Sequence, residues 1–250
     1  VGQDGAGARG IDEGFLNRPT LRHSTSKGFF VSRRIIVTGA AGILGSSVVG
    51  LLQKRGFATV GLDLAASGSG EGEFVGGTDL TDENAVAEAV AAIAAKGPIG
   101  GLANIAGGFV WETVLDGSAA SWMNLFRMNV LTTLNASRAV IPHLAPGSAI
   151  VNVGAAATSK AAAGMGAYTA SKSGVARLTE ALAEECKDKG IRVNAVLPSI
   201  IDTPANRADM GDADASKWVK PSELAESIAF LLSDAASAIT GASLPVTGRV

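Results

Sequence analysis

From Arg33 onward the chain alternates short apolar runs with helix-length stretches, and that alternation leaves few folds open. Ile35–Val37, Ala58–Leu62, Glu73–Gly77, Ile99–Ile105, Ser148–Val153, Ile191–Leu197 and Ser243–Val246 have the length and content of strands. Between them, Leu44–Arg55, Asp82–Lys96, Ser118–His143, Met165–Asp188 and Ser222–Ser233 have the content of helices. Several strand candidates are apolar throughout, as strands covered on both faces are. The expected architecture is one doubly wound α/β domain, residues 31–250, with a mostly parallel seven-stranded sheet and helices on both faces. Aromatic content of only 5% within 47% hydrophobic residues supplies the small aliphatic side chains that let helices pack closely on such a sheet.

Residues 1–30 lack either periodicity and are expected to be a tail outside the fold, disordered or non-native; Asp4, Asp12 and Glu13 weigh against an organelle leader. A net charge of −2 gives no case for nucleic acid, and no apolar run reaches the ~20 residues of a membrane span. One cysteine and two histidines form neither a disulfide nor a metal site. A small-molecule partner and a cytoplasmic setting are expected.

The first strand runs into Thr38-Gly39-Ala40-Ala41-Gly42-Ile43-Leu44-Gly45 and then a helix. Glycines in that context allow a tight turn and close backbone approach to a pyrophosphate, and the free N–H groups of the helix start favour the phosphate charge. Gly39, Gly42, Ile43, Leu44 and Gly45 are therefore cofactor-binding candidates in a Rossmann-type domain. Asp63 ends the second run, eighteen residues after Gly45. A carboxylate there accepts from ribose hydroxyls and repels a 2′-phosphate, and residues 64–68 offer no lysine or arginine to neutralise one. The expectation is NAD, with NADH preferred over NADPH; the alternative is that Asp63 caps a loop.

Tyr168, the chain's one tyrosine, precedes Lys172 by four residues, so both lie on one face of the expected helix. An ammonium beside a phenol favours the phenolate, which would lower the tyrosine pKa and create a proton relay. The same spacing also suits an ordinary packing pair.

With these motifs in order, the chain resembles the short-chain dehydrogenase/reductase family from about Arg33 to its end. Asp79-Leu80 resembles the adenine-contacting pair, Asn104-Ile105-Ala106-Gly107 the Asn-Asn-Ala-Gly strand, and Ile191–Pro198 with Thr203 the segment lining the nicotinamide. The resemblance implies that Tyr168, Lys172 and Asn129 are catalytic, with Asn129 anchoring a water behind the lysine. It further implies cofactor contacts at Asp79, Leu80, Asn104, Ala106, Gly107, Lys172, Pro198 and Thr203, and a homodimer or homotetramer.

The departures bear on substrate. Where the family usually has a serine, thirteen residues before the tyrosine, this chain has Ala155. Thr158 and Ser159 are near in sequence but lie roughly 10 Å along an extended chain, at ~3.3 Å per residue. Gly154-Ala155, Gly164–Tyr168, Leu197–Arg207 and Ala106-Gly107-Gly108-Phe109 resemble the dihydropteridine reductase branch, which also lacks the serine. Phe109, Trp111 and Met165, with Ala155, are expected to line the substrate pocket, and Ile200–Lys220 to form a lid. Three readings stand open. One is an NADH-dependent reductase of an activated acceptor such as a quinonoid dihydropterin. The second is an ordinary carbonyl or alcohol oxidoreductase, 3-oxoacyl reductase-like. The third is a nucleotide-sensing or scaffold protein with impaired chemistry. Val175, Leu178 and Leu182 form a stripe that could pair with a second subunit.

Overall fold

The computed structural model describes residues 1–2, 34–68 and 72–250. The chain divides into two units, Val1–Val31 and Ser32–Val250, and the second is the subject below. The expectation for the tail, residues 1–30, falls almost wholly outside the described residues.

Seven strands form one sheet in the order β3-β2-β1-β4-β5-β6-β7. They are β1 (Arg34–Thr38), β2 (Ala58–Leu62), β3 (Glu73–Val75), β4 (Ile99–Asn104), β5 (Leu144–Val153), β6 (Arg192–Pro198) and β7 (Ser243–Val246). All six pairings are parallel, where a mostly parallel sheet was expected. Helices α1 (Ile43–Lys54) and α7 (Pro221–Leu232) cover one face. On the other lie α2 (Glu83–Ala95), α4 (Thr132–Val140) and α5 (Gly166–Glu185). Each layer follows from its apolar spacing. In α1, Gly45, Val48 and Leu52 are buried, at i, i+3 and i+7, on one face of the helix. Helix α2 starts at Asp82, whose carboxylate accepts from the N–H groups of Asn84 and Ala85.

Strand register places the site. Thr38 pairs with Asn104, and Asn104 with Asn152, so the loops leaving β1, β4 and β5 rise side by side at the C-terminal sheet edge. The strand order reverses between β1 and β4, the position where open parallel sheets leave a crevice.

The helical stretch expected over Ser118–His143 is present, as α3 (Ala119–Phe126), a π-helical segment Arg127–Leu131 and α4, joined through right-handed helical dihedrals. One expectation about packing is corrected. The stripe Val175, Leu178 and Leu182 is not a free face: Val175 and Leu182 are buried, and Leu178 and Leu182 pack in this chain's own core. Ile200–Lys220, the segment expected to form a lid, carries structure of its own. It holds α6 (Pro204–Met210) and is tied back by an Ile201–Val219 bridge, with Ala215, Trp218 and Val219 buried.

Candidate active site

The glycine turn is shaped by two close approaches. Gly39 has φ +64, and a Cβ on it would lie 2.8 Å from the Ala106 nitrogen. A Cβ on Gly45 would lie 2.0 Å from the Gly39 carbonyl oxygen, so α1 rests directly on the turn. Helix α1 begins at Gly42 with no side-chain cap, leaving first-turn N–H groups for an anion. Ile43 is exposed, whereas Leu44 turns its side chain into the core, so only its backbone is left for a cofactor. Thr38 Oγ1 accepts from the Ile105 and Ala106 N–H groups and ties this turn to the end of β4.

Asp63 does cap its surroundings: Oδ2 accepts from Ala41 N–H at 2.9 Å and Oδ1 from Ala65 N–H at 3.0 Å. Each carboxylate oxygen accepts more than one hydrogen bond, so the capping role leaves room for a ribose. Asp79 is exposed and accepts from the Thr81 backbone and hydroxyl, while the Leu80 carbonyl accepts from Asn135 Nδ2. A dinucleotide suits this cradle: glycine positions that a Cβ would fill, an uncapped helix start, and an acid at the end of β2.

Asn104 is buried at the end of β4. Its Nδ2 donates to Ser137 Oγ and Asn152 Oδ1, in a buried network that Asn152 continues to Thr179. Its Oδ1 is buried without a hydrogen-bond partner among the described residues.

Lys172 is buried, and its Nζ donates to the Val153 carbonyl at 2.8 Å. Asn129, also buried, sits at the centre of the π-helical segment. Its Oδ1 accepts from Gly108 N–H, while its Nδ2 donates to the Gly108 carbonyl and to Ser171 Oγ. Ser171 Oγ in turn donates to the Tyr168 carbonyl. A Cβ on Gly107 would come 2.5 Å from Asn129 Oδ1 and 3.3 Å from Lys172 Nζ, so these three residues converge and require glycine. The wider turn of a π segment brings Asn129 inward, a distortion common at functional sites. Ser171 was missed as a positioning group; its place directly before Lys172 on the Tyr168 helix was the available signal.

The electrostatics correct one expectation. Burial pushes the Tyr168 hydroxyl up to about 12, the reverse of the lowering expected from a neighbouring ammonium. Burial also pulls Lys172 down to about 8. Among the described residues the lysine is bonded to Val153 rather than to the phenol, so loss of solvent outweighs charge attraction here.

Phe109 meets Tyr168 edge-on, with ring centroids 4.9 Å apart at 85°. Trp111 covers Gly164, where a Cβ would fall 2.1 Å from indole Nε1. Met165 is half-buried immediately before α5. Ala155 is buried just beyond β5, and the hydroxyls of Thr158 and Ser159 donate to the Ala155 and Ala156 carbonyls. Neither hydroxyl replaces the absent donor. Pro198 ends β6 with its side chain buried, and Thr203 caps α6 by accepting from Asn206 N–H at 3.2 Å.

Residues 39–248 match the family described as enoyl-(acyl carrier protein) reductase. A cis-4-hydroxycyclohexanecarboxylate dehydrogenase of Sinomonas cyclohexanicum is 35% identical over 88% of this chain and 96% of that protein. An inactive 2-(S)-hydroxypropyl-CoM dehydrogenase 2 of Xanthobacter autotrophicus is 35% identical over 74% of this chain and 87% of that protein. A 3-ketoacyl-(acyl-carrier-protein) reductase of Brucella melitensis, solved with NADH, has TM-score 0.78 at 28% identity, covering 86% of this chain and 97% of that one. A short-chain dehydrogenase of Burkholderia cenocepacia, solved with NADP, has TM-score 0.80 at 28% identity, covering 87% and 97%.

Proposed function

The chain belongs to the short-chain dehydrogenase/reductase family, an oxidoreductase family, and on that premise we propose that it interconverts a small carbonyl compound and its alcohol. The observation that carries this reading is the convergence of Lys172, Asn129 and Gly107 beside the Tyr168 helix, at the crevice end of the sheet. A nicotinamide dinucleotide, which supplies or receives the hydride when bound, would be held by the glycine turn, Asp63 and Lys172. Ile43 and Leu44 N–H groups would meet the pyrophosphate, Asp79 and Leu80 the adenine end, and Asn104, Ala106, Gly107, Pro198 and Thr203 the remainder. Tyr168 carries its proton at neutral pH, as a phenol does, and burial disfavours the phenolate further. It would give that proton to the oxygen on which negative charge develops. Lys172 and Asn129 would hold the phenol and its proton supply in register through the Val153, Gly108 and Ser171 contacts.

NADH is the proposed cofactor over NADPH. Asp63 is anchored by two backbone N–H groups, and no cation follows it in residues 64–68 to meet a 2′-phosphate. A homo-oligomer and a cytoplasmic setting belong to the same reading, and no described helix is long and apolar enough to cross a membrane.

Ala155 supports a second reading, an activated acceptor such as a quinonoid dihydropterin, a quinone or an imine. Such an acceptor takes hydride with less need for a second oxyanion donor, worth ~3–4 kcal/mol elsewhere. The named relatives are alcohol dehydrogenases and a 3-ketoacyl reductase, which favours the first reading.

Both are tested by following NADH and NADPH absorbance against a panel of ketones, a 3-oxoacyl thioester and a quinonoid dihydropterin, with wild type and Tyr168→Phe. Turnover with NADH, lost in the variant while NADH still binds, is the expected result. Undiminished turnover in Tyr168→Phe would end the proton-donor role. Tight NADH binding without turnover across the panel would return the chain to a nucleotide-binding reading, as one relative's inactivity allows.

A further inference from the structure

Resting on the oxidoreductase reading, we infer that the acceptor is a neutral, apolar compound and that the site discriminates against acceptors carrying a carboxylate or phosphate near the reacting carbon. The wall beside Tyr168 is the segment between β4 and α3, residues 105–118. It holds Phe109, Trp111 and Leu115, which are 50%, 61% and 95% exposed, and it contains no lysine or arginine. Exposed apolar side chains concentrated in one short segment beside Tyr168 offer a binding surface.

The wall is fixed against the catalytic helix. Phe109 abuts Tyr168 edge-on. Trp111 lies over Gly164, and Glu112 N–H donates to the Gly164 carbonyl at 3.1 Å, which binds this segment to the residues leading into α5. Val114 and Trp122 both come within 3.3 Å of where a Gly166 Cβ would stand. An acceptor entering toward Tyr168 therefore slides along aromatic and aliphatic surface.

The charges on the bordering segments point the same way. Residues 105–118 carry Glu112 and Asp116, each held by a hydroxyl, from Ser121 and Thr113 respectively. The segment 199–220 carries Asp202, Asp209, Asp212 and Asp214 against Arg207, Lys217 and Lys220. Arg207 is bound by both its Nε and an Nη to Asp202, and Lys217 is paired with Asp214. Lys220 also faces the Asp202 carboxylate, which it helps hold down in pKa. On the third border, residues 154–165, the cation is Lys160, which is exposed. An anionic substituent would lose water against this wall and meet more carboxylate than free cation on the bordering segments; Lys172, the cation at the reacting centre, is buried and bonded to the Val153 carbonyl.

The test compares 4-methylcyclohexanone with 4-oxocyclohexanecarboxylate, two rings of similar size that differ in charge. Turnover is read with NADH and the full chain. Affinity is read by calorimetry on the Tyr168→Phe variant saturated with NADH, so that charge preference is measured whether or not turnover occurs. The expected result is a preference for the neutral ring of about tenfold or more, narrowed by Trp111→Ala through KM rather than kcat. Equal or better use of the carboxylated ring, or no binding of either ring, overturns the inference; loss of the carboxylated ring in Lys160→Ala would then identify its partner. A neutral preference in binding with no turnover of either ring supports the charge discrimination at this wall and shows that neither ring is the acceptor. An unchanged preference in Trp111→Ala overturns the assignment to this wall.

Discussion

Replacing Lys172 with Met should make the cofactor-free protein more stable at pH 7 while abolishing turnover. Lys172 is 6% exposed, and burial lowers its pKa from 10.5 to about 8. That difference corresponds to about 3 kcal/mol by which the charged lysine destabilises the fold, at 1.36 kcal/mol per unit. The Nζ–Val153 hydrogen bond offsets part of the gain, since its removal costs about 1 kcal/mol. The net expectation is a stabilisation of roughly 2 kcal/mol, or a rise in Tm of about 4–8 °C for a chain this size. The sign depends on pH in a definite way. Between pH 8 and 10.5 the unfolded chain binds the proton that the folded chain has released, so wild-type stability climbs with pH across that window. Below pH 8 both states are charged and the full destabilisation is present; above pH 10.5 both are neutral and it vanishes. The advantage of Lys172→Met should therefore be full at pH 7 and largely gone by pH 9.5, still below the range where Tyr168 begins to titrate. Thermal unfolding of both proteins at these two pH values is the assay. A variant no more stable than wild type at pH 7, or an advantage that does not shrink with pH, would refute the desolvation argument.

Two further outcomes are expected. Gly45→Ala places a methyl 2.0 Å from the Gly39 carbonyl, a rigid backbone atom, so α1 must lift from the turn. A stability loss of about 1–3 kcal/mol by denaturant titration, with weakened NADH binding, should follow. Ala155→Ser restores the donor usual in the family, and ketone turnover should rise by about 10²-fold if a missing oxyanion donor limits it; unchanged ketone turnover would instead favour the activated-acceptor reading.

Much of the fold was legible because its period is local. Strand-length apolar runs such as Ile35–Val37 and Ala58–Leu62 declare burial on both faces, and the seven expected strands all appear. Asp82 announced the start of α2 by the same local chemistry. The π turn inside the long helix was not legible, because Arg127–Leu131 carries no proline or glycine to mark it. There the π turn coincides with Asn129, whose amide bonds to Gly108, twenty-one residues away. The stripe Val175, Leu178 and Leu182 failed for a related reason. Helical spacing shows that a face is apolar, but only packing shows whether a sheet or a second molecule covers it.

The sequence by itself determined the parallel sheet, the glycine turn with Asp63 beyond it, and the presence of a tyrosine and a lysine on one helical face. Each is set by residue type and short spacing. Only the tertiary structure decided that Lys172 bonds to Val153, that Asn104 joins a buried network, and that Tyr168 is made a weaker acid rather than a stronger one. Those outcomes depend on how much water each group loses, and that is fixed by residues distant in the chain that folding brings around it.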